Sequence, residues 1–394
     1  MRAVHVVYAY FPADPRVRRE VDALQAAGHE VDVVCLRAEG ESPSESVRGT
    51  RVTRVPLTAR RGGRLRYAFQ YGIFFLLSAI LISILHRRRR FDVVHIHSLP
   101  DFQVFCSLPL KLRGVRVILD LHEALPEIVA ARFRTNDRAP LVRLATLAER
   151  ASVLFADHVI TVNDVIGKLL VDRAGRGANV TVVMNSPDHS VVRLGDASSL
   201  KRRLGLNSDV IIVYVGGINP ERDLPTLIRA VADLRSRHSI QTVIAGYGDP
   251  EYIDSLKRLT RTLQLSDSVV FLPRIPQEEV LTYLALSSFG VISYEDSPLT
   301  QVAIPTKVFE YAAVGKPLAV ARLHALAELF DGAAEFFRAG DASDLAAAIE
   351  RLLQDQRHAD RLVERASAVL ARCSWDIMKE RLLSVYERIE GVPG

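Results

Sequence analysis

Residues 210–223 (VIIVYVGGINPERD) run from a β-branched stretch into paired glycines, Gly216 and Gly217. Arg222 follows, just ahead of a helix-period stretch that begins near Leu224. Glycines after a strand let backbone N–H groups approach an anion closely, and the next helix N-terminus adds a favourable dipole. Arg222 stands where a guanidinium reaches phosphate oxygens. Taken alone, a Gly-Gly turn also serves as a plain strand-to-helix connection. A second constellation is 304–317 (IPTKVFEYAAVGKP), where Pro305 fits a helix start and Lys307 and Glu310 are three apart on one face. The helix dipole disfavours a lysine in a first turn, and an anionic ligand at that end offsets the cost. Glu310, one turn on, can accept hydrogen bonds from a sugar diol. The bland alternative is a surface ion pair worth about 0.2–0.5 kcal/mol.

These residues need elements to hold them. The chain has 394 residues, 48% hydrophobic and 25% charged. That is globular composition, and at about 150 residues per domain it implies two or three domains. Short β-branched runs at 4–8, 31–35, 93–97, 115–119, 159–162 and 181–184 alternate with helix-period stretches, beginning with 17–27, which ends at Gly28. A polar stretch at 185–199 interrupts, and the alternation restarts at 210–215, 242–245, 269–272, 290–293 and 318–321. This pattern predicts two successive doubly wound α/β domains, 1–188 and 189–373, with a hinge near residue 190. Ligands bind outside the C-terminal ends of such strands, and two facing domains would form a cleft. Residues 374–390 carry Trp375, Ile377, Met378, Leu382, Leu383, Tyr386 and Ile389 at helical spacing. That last segment, 374–394, packs either on the first domain or on its own.

Charge is distributed unevenly. Residues 1–100 hold sixteen arginines, no lysine and nine acids, and between Ser46 and Phe91 there are eleven arginines and no acid. Such a block calls for an anionic partner. Inside it, 71–85 (YGIFFLLSAILISIL) is uncharged, preceded by Arg60, Arg61, Arg64 and Arg66 and followed by Arg87, Arg88, Arg89 and Arg90. Fifteen residues fall short of the about 20 that a spanning helix needs. Arginines at both ends suit a helix lying on an anionic membrane surface, with segment 60–90 as the associating part. A buried core helix and a true span are the alternatives. No aromatic-interleaved platform accompanies the arginines, which argues against nucleic acid. Cys35, Cys106 and Cys373 form no CxxC pair, no Cys/His metal cluster is visible, and the start lacks a cleavable signal pattern. The expectation is a cytoplasmic protein, peripheral on the inner membrane face, with no metal and no cofactor.

Together the motifs resemble retaining glycosyltransferases of family 4 with the GT-B fold, two facing Rossmann-like domains. The segment 216–222 resembles their phosphate loop, 245–248 (AGYG) their second glycine turn, 271–280 (FLPRIPQEEV) the stretch meeting the base, and 305–317 the donor-binding helix. The segments 11–19 (FPADPRVRR), 28–31 and 120–127 (DLHEALPE) are similar to the N-terminal domain of one branch, and 374–376 (SWD) to the start of its last helix. The resemblance implies a UDP- or GDP-type nucleotide-sugar donor, and the arginine-flanked segment motivates a lipid-linked or envelope-glycan acceptor, with a soluble small metabolite or protein as the alternative. It implies that Arg222 and Lys307 hold the diphosphate and stabilise the leaving charge. Gly216 and Gly217 would give close backbone approach, Gly246 and Thr306 would also line the donor site, Arg274 and Ile275 would frame the base, and Glu310 would take the ribose hydroxyls. His122 would sit near the reacting carbon, with Asp14, Arg16 and Glu123 on the acceptor side. His95 and His97 read as structural. Two departures stand out: Val302 replaces a glutamate common eight positions before Glu310, and Gly217 stands where relatives often have arginine. Glu295 and Asp296 lie in the same loop as substitutes. Rival readings are a nucleotide-sugar epimerase or isomerase on the same fold, with Asp120 and Glu123 as nearest acids, and a non-catalytic homologue.

Overall fold

A computed structural model describes residues 1–59, 64–136, 139–175, 177–186 and 194–391. The expected hinge near residue 190, together with Arg60 and Arg61, lies outside the described residues. The chain divides into two units, Met1–Asn185 with Asp376–Gly394, and Ser186–Trp375.

In unit 1 one sheet contains β1 (Arg2–Val7), β2 (Glu30–Leu36), β3 (Ser44–Val47), β4 (Thr50–Val55), β5 (Val93–His97), β6 (Arg116–Leu121), β7 (His158–Thr161) and β8 (Val180–Val182). Their order is β3-β4-β2-β1-β5-β6-β7-β8, with only β3 antiparallel to its neighbour. β1, β2, β5 and β6 are buried almost throughout, as parallel strands covered by helices on both faces must be. The order reverses at β1 and β5, so their C-terminal ends form the crevice of the sheet. Asp14 caps the helix Pro15–Ala26 there, accepting from Arg16 N at 3.0 Å.

β3 and β4 are absent from the sequence reading, and they change its account of charge. Arg54 of β4 is buried and pairs with Glu41 at 2.9 Å and Glu45 at 2.6 Å. Arg89 pairs with Asp32 at 2.6 Å. Part of the basic block is therefore neutralised by acids that precede it in the chain. The apolar helix also runs further than 71–85, over the 26 residues Arg64–Arg89. Its inner face, Gln70, Phe74, Ser78, Ile82 and His86, is buried at four-residue spacing. Tyr8 donates to Gln70 Oε1 at 2.8 Å, and His86 Nδ1 accepts from Phe91 N at 3.1 Å.

The last helix, Trp375–Glu390, belongs to unit 1. Met378, Leu382, Val385, Tyr386 and Ile389 make its buried face. Arg388 donates to Thr181 at 3.0 Å, and Met184 N to the Met378 sulfur at 3.0 Å.

Unit 2 has two parallel three-stranded sheets, β11-β10-β9 and β12-β13-β14. The strands are β9 (Val210–Ile218), β10 (Ile240–Gly248), β11 (Val269–Leu272), β12 (Gly290–Ile292), β13 (Leu318–Ala321) and β14 (Glu335–Phe337). Side chains and single bonds join β9 to the segment before β12. Ser287 Oγ and Ser288 Oγ accept from Val213 N and Ile211 N, at 3.0 and 3.1 Å. Tyr311 Oη donates to the Val213 carbonyl and fastens the helix Thr306–Ala313 onto β9.

Candidate functional site

β9 and β10 end in register, with Gly216 opposite Gly246 and Gly217 opposite Tyr247. A Cβ on Gly216 would strike the Lys307 side chain, and one on Gly246 would strike the Gly216 carbonyl. Both glycines hold positive φ, 150° and 157°, a region that L side chains avoid. The strand ends therefore present bare backbone beside a cation. Tyr214 Oη donates to the Gly217 carbonyl at 2.6 Å and fixes the turn.

Three cations surround this backbone, each held over a tyrosine ring. Arg222 ends the short turn Pro220–Arg222 with its guanidinium 4.3 Å from the Tyr294 centroid. Lys307 Nζ is 5.4 Å from that of Tyr214. Arg274 Cζ is 5.4 Å from that of Tyr247, on the neighbouring strand end. An aromatic face holds a cation through its quadrupole and leaves the net charge intact, whereas a carboxylate would cancel it. Burial lowers the Lys307 ammonium below the usual lysine value; Glu310 opposes this and Arg222 adds to it. Two mutually repelling cations beside half-buried glycine backbone are an arrangement that a polyanion relieves. Glu310 Oε2 is buried without a hydrogen-bond partner among the described residues, so it calls for a donor such as a hydroxyl.

The remaining donor-side residues divide by exposure. Thr306 opens its helix and is exposed, Arg274 is exposed, and Ile275 is half-buried. Val302 ends the helix Pro298–Val302 as a buried side chain, so that position serves packing here. Of the two substitutes, Asp296 already accepts from Gln301 at 2.6 Å.

In unit 1, His122 follows β6 and is buried, and Glu123 beside it is exposed. Arg16 lies 3.5 Å from Asp14. Burial would raise the Asp14 carboxyl, but Arg16, the helix N-terminus and His122 hold it below the usual range. Asp14, Arg16 and His122 thus share one neighbourhood. Sequence reasoning missed what lies behind them. Parallel register sets His5 opposite His95 and His97 opposite Asp120. Ligand-type groups converge in two sets, His5 with Glu20, His95 and His97, and His97 with Asp120 and His122, within 4.8 Å of one another. Their members come from separate strands and a helix, so no sequence spacing displays them. The one available signal was the alternation of His95 and His97, which puts both on one face of β5.

Residues 13–186 match a family described as glycosyl transferase 4-like domain, and residues 196–369 one described as glycosyl transferases group 1. A D-inositol 3-phosphate glycosyltransferase of Actinosynnema mirum is 30% identical over 325 residues, 78% of this chain and 75% of the relative. One of Thermomonospora curvata is 27% identical over 394 residues, 92% and 87% of the two chains. Among solved structures, sucrose-phosphate synthase from Thermosynechococcus elongatus matches with TM-score 0.80 and 18% identity over 99% of both chains. Anabaena HepE in complex with UDP matches with TM-score 0.74 and 13% identity, over 98% of this chain and 100% of that one.

Proposed function

The chain belongs to the glycosyl transferases group 1 family and has the GT-B fold, and on that premise we propose how this glycosyltransferase works. It takes a sugar from a nucleotide-diphosphate sugar bound at the strand ends of unit 2. It delivers that sugar, with retention, to a lipid-linked or envelope-glycan acceptor at the cytoplasmic membrane face. The observation carrying the donor assignment is the set of π-held cations, Arg222 and Lys307, beside Gly216 and Gly217. Breaking a sugar–phosphate bond builds negative charge on the diphosphate and positive charge at the anomeric carbon. Preorganised cations that meet the first charge are commonly the largest catalytic contribution. Arg222 and Lys307 supply that charge from the protein, so the reading needs no metal. The leaving phosphate acts as base on the face from which the acceptor attacks. Glu310 takes the ribose hydroxyls, and Arg274 with Ile275 frames the base.

A panel of UDP- and GDP-sugars in a thermal-shift assay tests this, because a ligand that binds only the folded state raises its melting point. One base and one sugar class should stand out, and Lys307→Ala should abolish the shift and lower turnover by about a hundredfold or more. Near-normal turnover in Lys307→Ala would remove the assignment.

The membrane assignment rests on the helix Arg64–Arg89. Its window Phe69–Arg89 is long and apolar enough to cross a bilayer by length and composition alone. One face is already packed on the sheet, which favours lying along a surface over being surrounded by lipid. Phe69, Leu76, Ile80 and Ile84 are exposed, and at about 100° per residue they form one narrow stripe. Arg66 and Arg87, both exposed, continue that stripe at either end. Phe102, Leu108 and Leu112, and Leu141, Leu144 and Leu147 of the helix Pro140–Phe155, are exposed large apolar side chains on elements of the same unit. A second reading, a soluble sugar-phosphate acceptor, is favoured by the relatives named for D-inositol 3-phosphate. Partition of labelled product between organic solvent and water separates the two.

A further inference from the structure

Buried behind His122 is a chain of hydrogen-bonding groups that crosses the sheet of unit 1. Tyr386 Oη, from the last helix, is 3.1 Å from His5 Nε2. His5 Nδ1 is 2.9 Å from His97 Nε2. His97 Nδ1 is 3.0 Å from Asp120 Oδ2, and His122 Nε2 is 3.1 Å from the same oxygen. Tyr386 Oη is also 2.9 Å from His95 Nδ1. Two nitrogens and one oxygen at the ends have no partner among the described residues: His122 Nδ1, His95 Nε2 and Glu20 Oε2.

The direction of every bond in this chain follows from a single charge. Burial alone would raise the Asp120 carboxyl, but His122 and His97 hold it well below the usual range, so it is ionised and can only accept. His122 Nε2 and His97 Nδ1 must then both carry hydrogen. Their 3.2 Å separation is two donors converging on one oxygen. Burial keeps His97, His5 and His95 below the usual imidazole value, hence neutral near pH 7. A neutral ring has one N–H and one lone pair. His97 Nε2 is therefore an acceptor, His5 Nδ1 its donor, and His5 Nε2 the acceptor for the Tyr386 hydroxyl. Burial raises the Tyr386 phenol, so that hydroxyl keeps its hydrogen. Its oxygen then accepts from His95 Nδ1. The reverse direction would aim the His97 Nδ1 lone pair at a carboxylate 3.0 Å away. It would gain only an N–H from His95 Nε2, 4.0 Å from the same oxygen. The forward direction wins on distance.

We propose that Asp120, accepting directly from His122 Nε2–H, is a positioning residue that locks His122 as that tautomer and reserves Nδ1 to accept a substrate hydroxyl, while His97, His5 and Tyr386 hold the carboxylate in place from behind. The hydroxyl part rests on the reading that His122 lies at the reacting sugar; the tautomer lock does not. The last helix then has a chemical task, closing the far end of the chain with the one hydroxyl in it.

Long-range ¹H–¹⁵N correlation spectra of the whole protein, labelled in its histidine rings and assigned with single His→Gln variants, test the lock. The expected protonated nitrogens are Nε2 of His122 and Nδ1 of His97, His5 and His95. Asp120→Asn, which replaces the ionised acceptor by a neutral amide of the same shape, should turn His122 into a tautomer mixture. It should lower kcat about tenfold, with donor KM within about twofold, measured as nucleotide release from UDP-glucose, UDP-N-acetylglucosamine or GDP-mannose; a wrong imidazole tautomer is costly in catalysis. A protonated Nδ1 on His122 in the unaltered protein overturns the proposal, as does Asp120→Asn with unchanged spectra and kcat. Should Asp120→Asn fail to fold, the spectrum of the unaltered protein decides by itself. If the unaltered protein turns over no nucleotide sugar, the donor reading falls, and the spectrum still judges the lock.

Discussion

Gly216 and Gly246 show how one residue type serves two ends within the same site. At Gly216 the neighbour that a Cβ would strike is the far end of Lys307, a flexible side chain that can move aside. At Gly246 the neighbour is the Gly216 backbone carbonyl, which cannot. Gly216→Ala is therefore expected to fold, with about 1–3 kcal/mol of backbone strain, while pushing Lys307 from its place over Tyr214. Nucleotide-diphosphate affinity should fall about tenfold or more, equivalent to about 1.4 kcal/mol. Gly246→Ala should instead lose stability outright by separating the ends of β9 and β10. Urea melts and UDP titrations of the two variants check this. Equal stability losses with equal affinity losses would contradict the division of roles.

At the scale of elements, what could be read from sequence depended on whether the signal was local. β9, the glycine turn and the Lys307 helix lie in short contiguous stretches, so the residues proposed for the donor site could be picked out together before any geometry. β4 was not, because Arg51 and Arg54 were counted with a charged block; pairing of Arg54 with Glu41 and Glu45 needs the β3–β4 hairpin to exist first. The apolar helix was read too short for a related reason. Arginine is a good helix former, so the flanks taken as boundaries at Arg66 and Arg87 continue the helix. The histidine chain was illegible because interstrand register joins residues far apart in the sequence, and Tyr386 enters from the last helix. The outer stripe of Arg64–Arg89 gives the prediction at this scale. Leu76→Asp with Ile80→Asp should abolish binding to vesicles containing anionic lipid, since each change removes an exposed apolar contact and adds repulsion from a negative surface. Both positions face away from the sheet, so the melting point should stay within a few degrees. Undiminished vesicle flotation of the double variant would exclude this helix as the docking element.

Across the whole molecule, the two units differ in how they use histidine, and that difference has a pH signature. In unit 1 burial keeps His5, His95 and His97 neutral, and burial with nearby Arg388 lowers His158 to about 4. Unfolded histidine titrates near 6.5. Between those values the unfolded chain binds protons that the folded unit refuses, so stability rises with pH there. This histidine contribution is fully present above about 6.5 and is lost progressively as pH falls toward 4; burial raises the carboxyls of Glu20, Asp101 and Glu149, which act in the opposite sense and offset part of that loss. The ionised Asp120 adds a contribution that disappears only at still lower pH. In unit 2, His238 and His358 lie against Glu350 and Glu335, at 2.9 and 2.8 Å, and the lowered histidines named above all belong to unit 1. Acid should therefore weaken unit 1 first. Calorimetric scans at pH 7.5 and 5.5 check this, with UDP added to mark the transition of unit 2, which holds its proposed site. The UDP-insensitive transition should move down by several degrees at pH 5.5, and the UDP-sensitive one much less. Equal shifts in both would mean that the buried histidines do not set the acid limit of unit 1.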